Sequence, residues 1–314
     1  MRLRQAAWET DRQGWLQRVG NDDEARAQRA FHFRALRGQA RIRGRVMHEF
    51  DFSVALVPAR EGWFAGKTSP AYGNMVGPFG GITNAVMLNS VMSHPGRMGD
   101  PIALTTNFAS PIADGDFEVG AVPVRTNRST QHWSMELVQD GTAAATGTAV
   151  FAQRRETWSS SEAAAPLELP TPHSLPQVST AGLPAWVSRY DMRYVQGGLP
   201  EAFDGREHDD SYSVCWLRDS PARPLDFLSL AALCDGFFPR ILIRRRQMMP
   251  VGTISLTTYF HADADLLAAQ GDRHVIGVAR ASNFRHGYFE QNAEIWSDAG
   301  YLLATSHQMV YFRE

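Results

Sequence analysis

The feature that most constrains how this chain can fold is that its pattern of elements occurs twice. The first copy opens on a glycine-marked helix, Phe79-Gly80-Gly81-Ile82-Thr83-Asn84-Ala85-Val86-Met87-Leu88. Four strand-like runs follow, Ile102 to Phe108, Phe117 to Thr126, Gln131 to Val138 and Thr142 to Gln153, with Asp140-Gly141 as a short hairpin turn between the last two. The second copy keeps that order. A helix is expected from about Asp226 to Arg244, then strands over Thr253 to His261, His274 to Asn283, Tyr288 to Ser297 and Tyr301 to Phe312, the last hairpin turning at Asp298-Ala299-Gly300. The copies align residue by residue where Ala103-Leu104-Thr105-Thr106-Asn107-Phe108 meets Ser255-Leu256-Thr257-Thr258-Tyr259-Phe260. Between them, residues 158–185 hold Ser159, Ser160, Ser161 and five prolines, which no packed helix or sheet tolerates. One helix followed by four antiparallel strands, twice over, implies an α+β fold in which each sheet wraps a central helix. The expected units are an extension over 1–46, a first unit over 47–157, a linker over 158–185 and a second unit over 186–314.

Charge separates the first segment from the rest. Residues 1–46 carry 11 arginines against 5 acidic residues, while the remainder carries 20 basic and 28 acidic residues. The mildly acidic body argues against a nucleic-acid surface, which needs clustered cations to release counterions. Asp22, Asp23 and Glu24 also argue against an organelle presequence. Strand and helix patterning begins at Met47, so Met47 is expected to be the natural start and residues 1–46 an extension foreign to the fold. The two cysteines, Cys215 and Cys234, are too few for a disulfide framework and suit a reducing compartment. No apolar run approaches the ~18 to 20 residues of a membrane span. A soluble, cytoplasmic protein is expected, with no membrane or nucleic-acid partner.

Several motifs fail on inspection. Gly62-Trp63-Phe64-Ala65-Gly66-Lys67-Thr68 resembles a phosphate-binding loop, but it is one residue short between its glycines and puts two bulky aromatics where backbone must wrap phosphate. The nucleophile elbow, the zinc-protease helix and the dinucleotide fingerprint are missing. The ten histidines have no paired ligand spacing, so no metal is expected.

Asp235 stands out on physical grounds. The stretch Phe227-Leu228-Ser229-Leu230-Ala231-Ala232-Leu233-Cys234-Asp235-Gly236-Phe237-Phe238 is apolar on nearly every side, as a buried helix must be. A carboxylate there costs several kcal/mol unless it is paired or hydrogen-bonded. Two readings are open at this point: a structural pair, for instance with Arg240, or a site.

These residues resemble the double-hotdog acyl-CoA thioesterases, the acyl-CoA thioesterase II type. The resemblance runs from about Met47 to Arg313. It rests on the order and spacing of Gly80-Gly81, Leu104-Thr105-Thr106-x-Phe108, Trp216-Leu217-Arg218, Pro224-Leu225-Asp226, Asp235, the run Thr253 to His261, and Ser306-His307-Gln308. It implies a double hotdog that hydrolyses acyl-CoA, with Asp235, Thr253 and Gln308 as the catalytic set. The interval between Asp235 and Thr253 is short for the family and contains Arg244-Arg245-Arg246.

In the chemistry so implied, Asp235 takes a proton from a water while Thr253 and Gln308 position that water or the carboxylate. The run Gly77-Pro78-Phe79-Gly80-Gly81 precedes a helix, whose first amides are unpaired, so Gly80 and Gly81 are expected as oxyanion donors. Arg244, Arg245 and Arg246 are candidates for the phosphates of coenzyme A, against the alternative of a solvated helix end. No cofactor is expected beyond the coenzyme A that the substrate carries, and a homo-oligomer is expected from the resemblance. Two other readings remain open: hydration or dehydration of an enoyl-CoA, which would want a histidine that neither helix supplies, and a non-catalytic acyl-CoA-binding module.

Overall fold

The computed structural model describes residues 47–314; the arginine-rich segment 1–46 and the expectations placed on it lie outside the described residues. A short helix α1 (Glu49–Ser53) leads into strands β1 (Val57–Arg60) and β2 (Trp63–Lys67), then the long helix α2 (Gly80–Met92). Strands β3 (Asp100–Phe108), β4 (Asp116–Thr126), β5 (Thr130–Gln139) and β6 (Thr142–Ala152) complete the first half. The second half runs β7 (Tyr190–Gln196), β8 (Ser213–Asp219), α3 (Phe227–Leu233), α4 (Arg240–Arg245), β9 (Val251–Phe260), α5 (Ala264–Gln270), β10 (Val275–Arg280), β11 (Phe284–Arg285), β12 (Tyr288–Trp296) and β13 (Leu302–Phe312).

All strands join one sheet, ordered β1-β2-β4-β5-β6-β3-β9-β13-β12-β10-β8-β7, with β11 paired to β12 at the side. The second six positions repeat the first six in reverse, so the halves meet at β3 and β9 across a pseudo-twofold axis. The register locates that axis. Thr105 lies opposite Thr257, and their hydroxyls are 3.0 Å apart. These are the two threonines that the internal repeat aligns with each other. Each half is a hotdog, and the expected double-hotdog α+β architecture holds.

Burial explains why the helices are apolar all round. α2 is enclosed by its sheet on one side and by α3 on the other, and every residue from Gly81 to Leu88 is buried. Burying each Met, Leu or Val there contributes about 1.5–3 kcal/mol. The polar exceptions are satisfied: Asn84 Nδ2 donates across the axis to the Ala231 carbonyl at 3.1 Å, and within the first half Thr106 Oγ1 donates to Asn84 Oδ1 at 2.8 Å.

Three sequence expectations change. The helix expected from Asp226 to Arg244 is two pieces, because Gly236 disfavours helix and Pro239 cannot continue one. Asp226 caps the first piece by accepting from the Ser229 amide. Each half also has two strands ahead of its helix that periodicity did not reveal, and the failed phosphate-loop lookalike is one of them, β2, with its flanks. Finally, the proline-rich segment 158–185 is docked. Leu169 and Leu175 pack on Val214, Trp216, Ile276 and Trp296 of the outer sheet face, and Trp216 Nε1 donates to the Pro170 carbonyl at 2.9 Å. Among the described residues no helix is long and apolar enough to cross a membrane.

Candidate active site

The break after α3 is what makes a site. Cys234 caps the helix, and Asp235 follows it with its own amide donating to the Ala232 carbonyl. A continuous helix would have carried Asp235 onward along one face. The turn instead presses its carboxyl against the start of α2 from the other half. A Cβ placed on Gly80 would lie 2.6 Å from Asp235 Oδ2, and the neighbouring Gly81 amide faces the carboxyl and favours its charged form. Asp235 thus faces in trans the start of a helix whose own N-cap residue, Phe79, makes no side-chain capping bond. The partial positive charge of a helix N-terminus stabilises an anion held there.

Gln308 closes the other side. It lies on the inward face of β13, 5 % exposed, and its Nε2 donates to Asp235 Oδ1 at 2.5 Å. Burial is the largest influence on Asp235 and pushes its pKa up to about 7, while the Gln308 and Gly81 donors pull the other way. Among the described residues no basic side chain pairs with it: Arg240 is buried on the Phe238 carbonyl and Ser213 instead. The carboxyl is therefore met, among the described residues, by neutral donors, with its pKa raised to near neutrality.

Thr253 stands on the same inward face. A bulge in the β9–β13 ladder sets Thr253 opposite buried Val310, one inward position beyond the Leu256–Gln308 pair. Diagonal neighbours of this kind are about 7 Å apart. Thr253 is half-buried, and among the described residues its hydroxyl makes no hydrogen bond to Asp235 or Gln308. The turn after α3 also brings the Asp235 carboxyl up to the Gly81 amide, which favours its charged form. Gly80 provides the close approach. Arg244, Arg245 and Arg246 are all answered by carboxylates, Arg244 by Glu207 at 3.4 Å, Arg245 by Glu314 at 2.7 Å and Arg246 by Asp204 at 3.0 Å.

The pseudo-twofold axis asks whether a second such site exists. Asn84 in α2 lies against Thr106 of β3, as Cys234 lies beside Thr258 of β9. The residue after Asn84 is Ala85, so Ala85 occupies the position of Asp235. Ala149 pairs with Leu104 as Gln308 pairs with Leu256. Both alanines are buried and apolar, so among the described residues the polar cluster around Asp235 has no counterpart in the first half. Among the described residues no group of three or more His, Cys, Asp or Glu is placed to hold a metal ion.

One neighbour of the site is unannounced in the sequence. Gln291 of β12 is 2 % exposed and sits directly opposite Gln308. It carries no motif, and only the β12–β13 register could have pointed to it.

Family models match both halves: an acyl-CoA thioesterase N-terminal domain over residues 69–152 and an acyl-CoA thioesterase C-terminal domain over residues 161–312. A conserved protein of unknown function with a hot dog fold from Alicyclobacillus acidocaldarius is 46% identical, with 86% of this chain and 99% of that one covered and a TM-score of 0.81. An acyl-CoA thioesterase II from Mycobacterium marinum shares the fold at 17% identity, covering 84% and 98% with a TM-score of 0.66. A tesB protein from Mycobacterium avium subs paratuberculosis does so at 16% identity, covering 85% and 98% with a TM-score of 0.67. No curated protein matches the chain.

Proposed function

This chain is a thioester hydrolase of the acyl-CoA thioesterase family, and we propose that Asp235 is the base that activates water against the thioester carbonyl of an acyl-CoA. The observation that carries the reading is the environment of Asp235: a buried carboxyl on neutral donors, at the N-terminus of a helix from the opposite half, with no cation among the described residues to hold it permanently charged.

In this reading the carboxylate takes one proton of a water as its oxygen bonds to the acyl carbon. The carbonyl oxygen becomes an oxyanion, and its collapse expels the coenzyme A sulfur, which takes the proton from Asp235. The products are a free acid and free thiol, and Asp235 is regenerated. Gln308 keeps one carboxyl oxygen occupied, so that the other faces the water. Thr253, on the adjacent inward position, holds the water or the acyl oxygen. The oxyanion donors are the first-turn amides of Gly80 and Gly81, which have no partner inside their helix. Arg244, Arg245 and Arg246, already held by Glu207, Glu314 and Asp204, serve as a paired helix end rather than as the site of the coenzyme A phosphates. A cytoplasmic location accords with the free, buried thiols of Cys215 and Cys234. A homo-oligomer has the two edge strands β1 and β7 available for pairing.

The test is thiol release from a panel of acyl-CoAs, C2 to C18 and aryl, by the wild type and Asp235→Asn. Loss of ~10²-fold or more with folding intact is expected, the scale of a removed general base. Thiol release unchanged by the substitution refutes the role of Asp235. Wild-type binding without release on any substrate favours the binding-module reading.

A further inference from the structure

We infer that Gln291 is a positioning residue that fixes which face of the Gln308 amide Asp235 meets. This rests on the role proposed for Asp235 and deepens it.

A glutamine amide can be turned by half a rotation at little cost in shape, but its two ends differ: one donates, the other only accepts. Asp235 as a carboxylate accepts only, so it needs the NH2 end of Gln308. The remaining end, Gln308 Oε1, then needs a donor. Gln291 lies directly across the β12–β13 ladder on the same inward face, and its Nε2 points at Gln308 Oε1 over 3.4 Å. Donors thus run in one direction, from Gln291 to Gln308 to Asp235. Reversing Gln291 would set two carbonyl oxygens against each other, and reversing Gln308 would set an oxygen against the carboxylate. Gln291 Oε1 is itself buried, and no protein group donates to it, so nothing in the described chain anchors Gln291 the other way round.

The consequence is specific. Gln308 favours the charged form of Asp235 only while its NH2 end faces the carboxyl. Removing the Gln291 donor frees Gln308 to turn, and Asp235 becomes harder to ionise. The other titratable groups beside Asp235 are Tyr190 and Cys234, both held neutral at this pH by burial, so they do not mask the change.

Gln291→Met keeps the length and removes both polar ends. The expected result is that the acid limb of kcat/KM moves up by about half a unit to one unit, so activity falls roughly three- to tenfold at pH 6 and much less at pH 9. The carboxyl carbon of Asp235, followed by ¹³C NMR in the same protein, titrates higher by the same amount. Gln308→Met alone gives an equal shift, and adding Gln291→Met to it gives no further one. A merely structural Gln291 would lower activity equally at all pH values and leave the Asp235 titration where it is, and that result overturns the inference. Should Gln291→Met fail to fold by circular dichroism, Gln291→Glu is read in its place. Its ionised form accepts only and should turn Gln308 away from Asp235, shifting the titration further, so an unshifted titration again overturns the inference. Because the NMR titration does not depend on hydrolysis, a failure of Gln291 can be told from a failure of Asp235 as the base.

Discussion

Gly80→Ala tests the meeting of two halves that makes the site. Gly80 has no positive φ, so alanine suits its backbone, and at a helix start it should cost nothing in propensity. Its Cβ, however, would lie 2.6 Å from Asp235 Oδ2, below the 3.0 Å that real contacts respect. The carboxyl must retreat by at least about 0.4 Å, and by more for an ordinary contact, against the Gln308 bond that ties its other oxygen. Misplacing a reacting group by ~1 Å can cost ~10² in rate. Gly80→Ala should therefore lower kcat/KM between about tenfold and a hundredfold, chiefly through kcat, while Tm stays within about 3 °C. Gly81→Ala is the contrast. Its Cβ would meet the Phe79 ring and, at 2.5 Å, the Ala232 carbonyl, so it should lower Tm by more than Gly80→Ala does. Thiol release and thermal melts on the two proteins decide the matter. Gly80→Ala within twofold of wild type would refute the argument that the carboxyl must stand against this glycine to work.

The raised pKa of Asp235, about 7, makes opposite predictions for rate and stability. kcat/KM should climb about tenfold per pH unit below pH 7 and level off above it, and a flat profile between pH 5.5 and 8 would contradict an Asp235 base. An unfolded aspartate titrates near ~3.9, so between about pH 4 and 7 the native state binds more protons than the unfolded one, and stability falls as pH rises through that window. Asp235→Asn removes the slope, so the inactive variant should match the wild type near pH 4 and exceed it at pH 8, with a ceiling of about 4 kcal/mol; denaturant melts at both pH values check this. Arg245 is already answered by Glu207 at 3.4 Å and Glu314 at 2.7 Å. Arg245→Ala should accordingly raise KM for acyl-CoA less than about twofold relative to the matching acyl-pantetheine, and a tenfold rise would give the cluster the nucleotide phosphates.

What could be read in the sequence follows from how local each signal is. The four strands after each helix are legible as apolar runs between turn signals, several of them alternating as β13 does, and the Asp140-Gly141 turn because both residues take positive φ. β1 and β2 hide because Val57-Pro58-Ala59-Arg60 carries a proline and β2 is buried on both faces, which erases alternation. Asp235 is visible as a charge out of place, and Gln308 only through family likeness. The approach of Asp235 to the start of α2 has no sequence signature, since a helix start is normally matched with residues a few positions away, and here the carboxyl comes from the other half of the chain. Gln291 is invisible for the same reason: its meaning lies in a cross-strand register.

The repeat itself shows where sequence symmetry stops. Thr105 and Thr257 are matched in sequence and touch in space, so the duplication extends to the joint between the halves. It does not extend to the chemistry. The positions that mirror Asp235 and Gln308 are Ala85 and Ala149, each fully packed. A second buried carboxyl at Ala85 would have required its own donors and its own glycine-lined helix start. The corresponding helix, α3, has no glycine there and is capped by its own Asp226. The two differences go together: a helix that caps itself leaves no need for a carboxylate in trans, and a helix that does not, α2, leaves its first amides for one. The single site thus follows from a difference in capping, with the start of α2 open and the start of α3 closed.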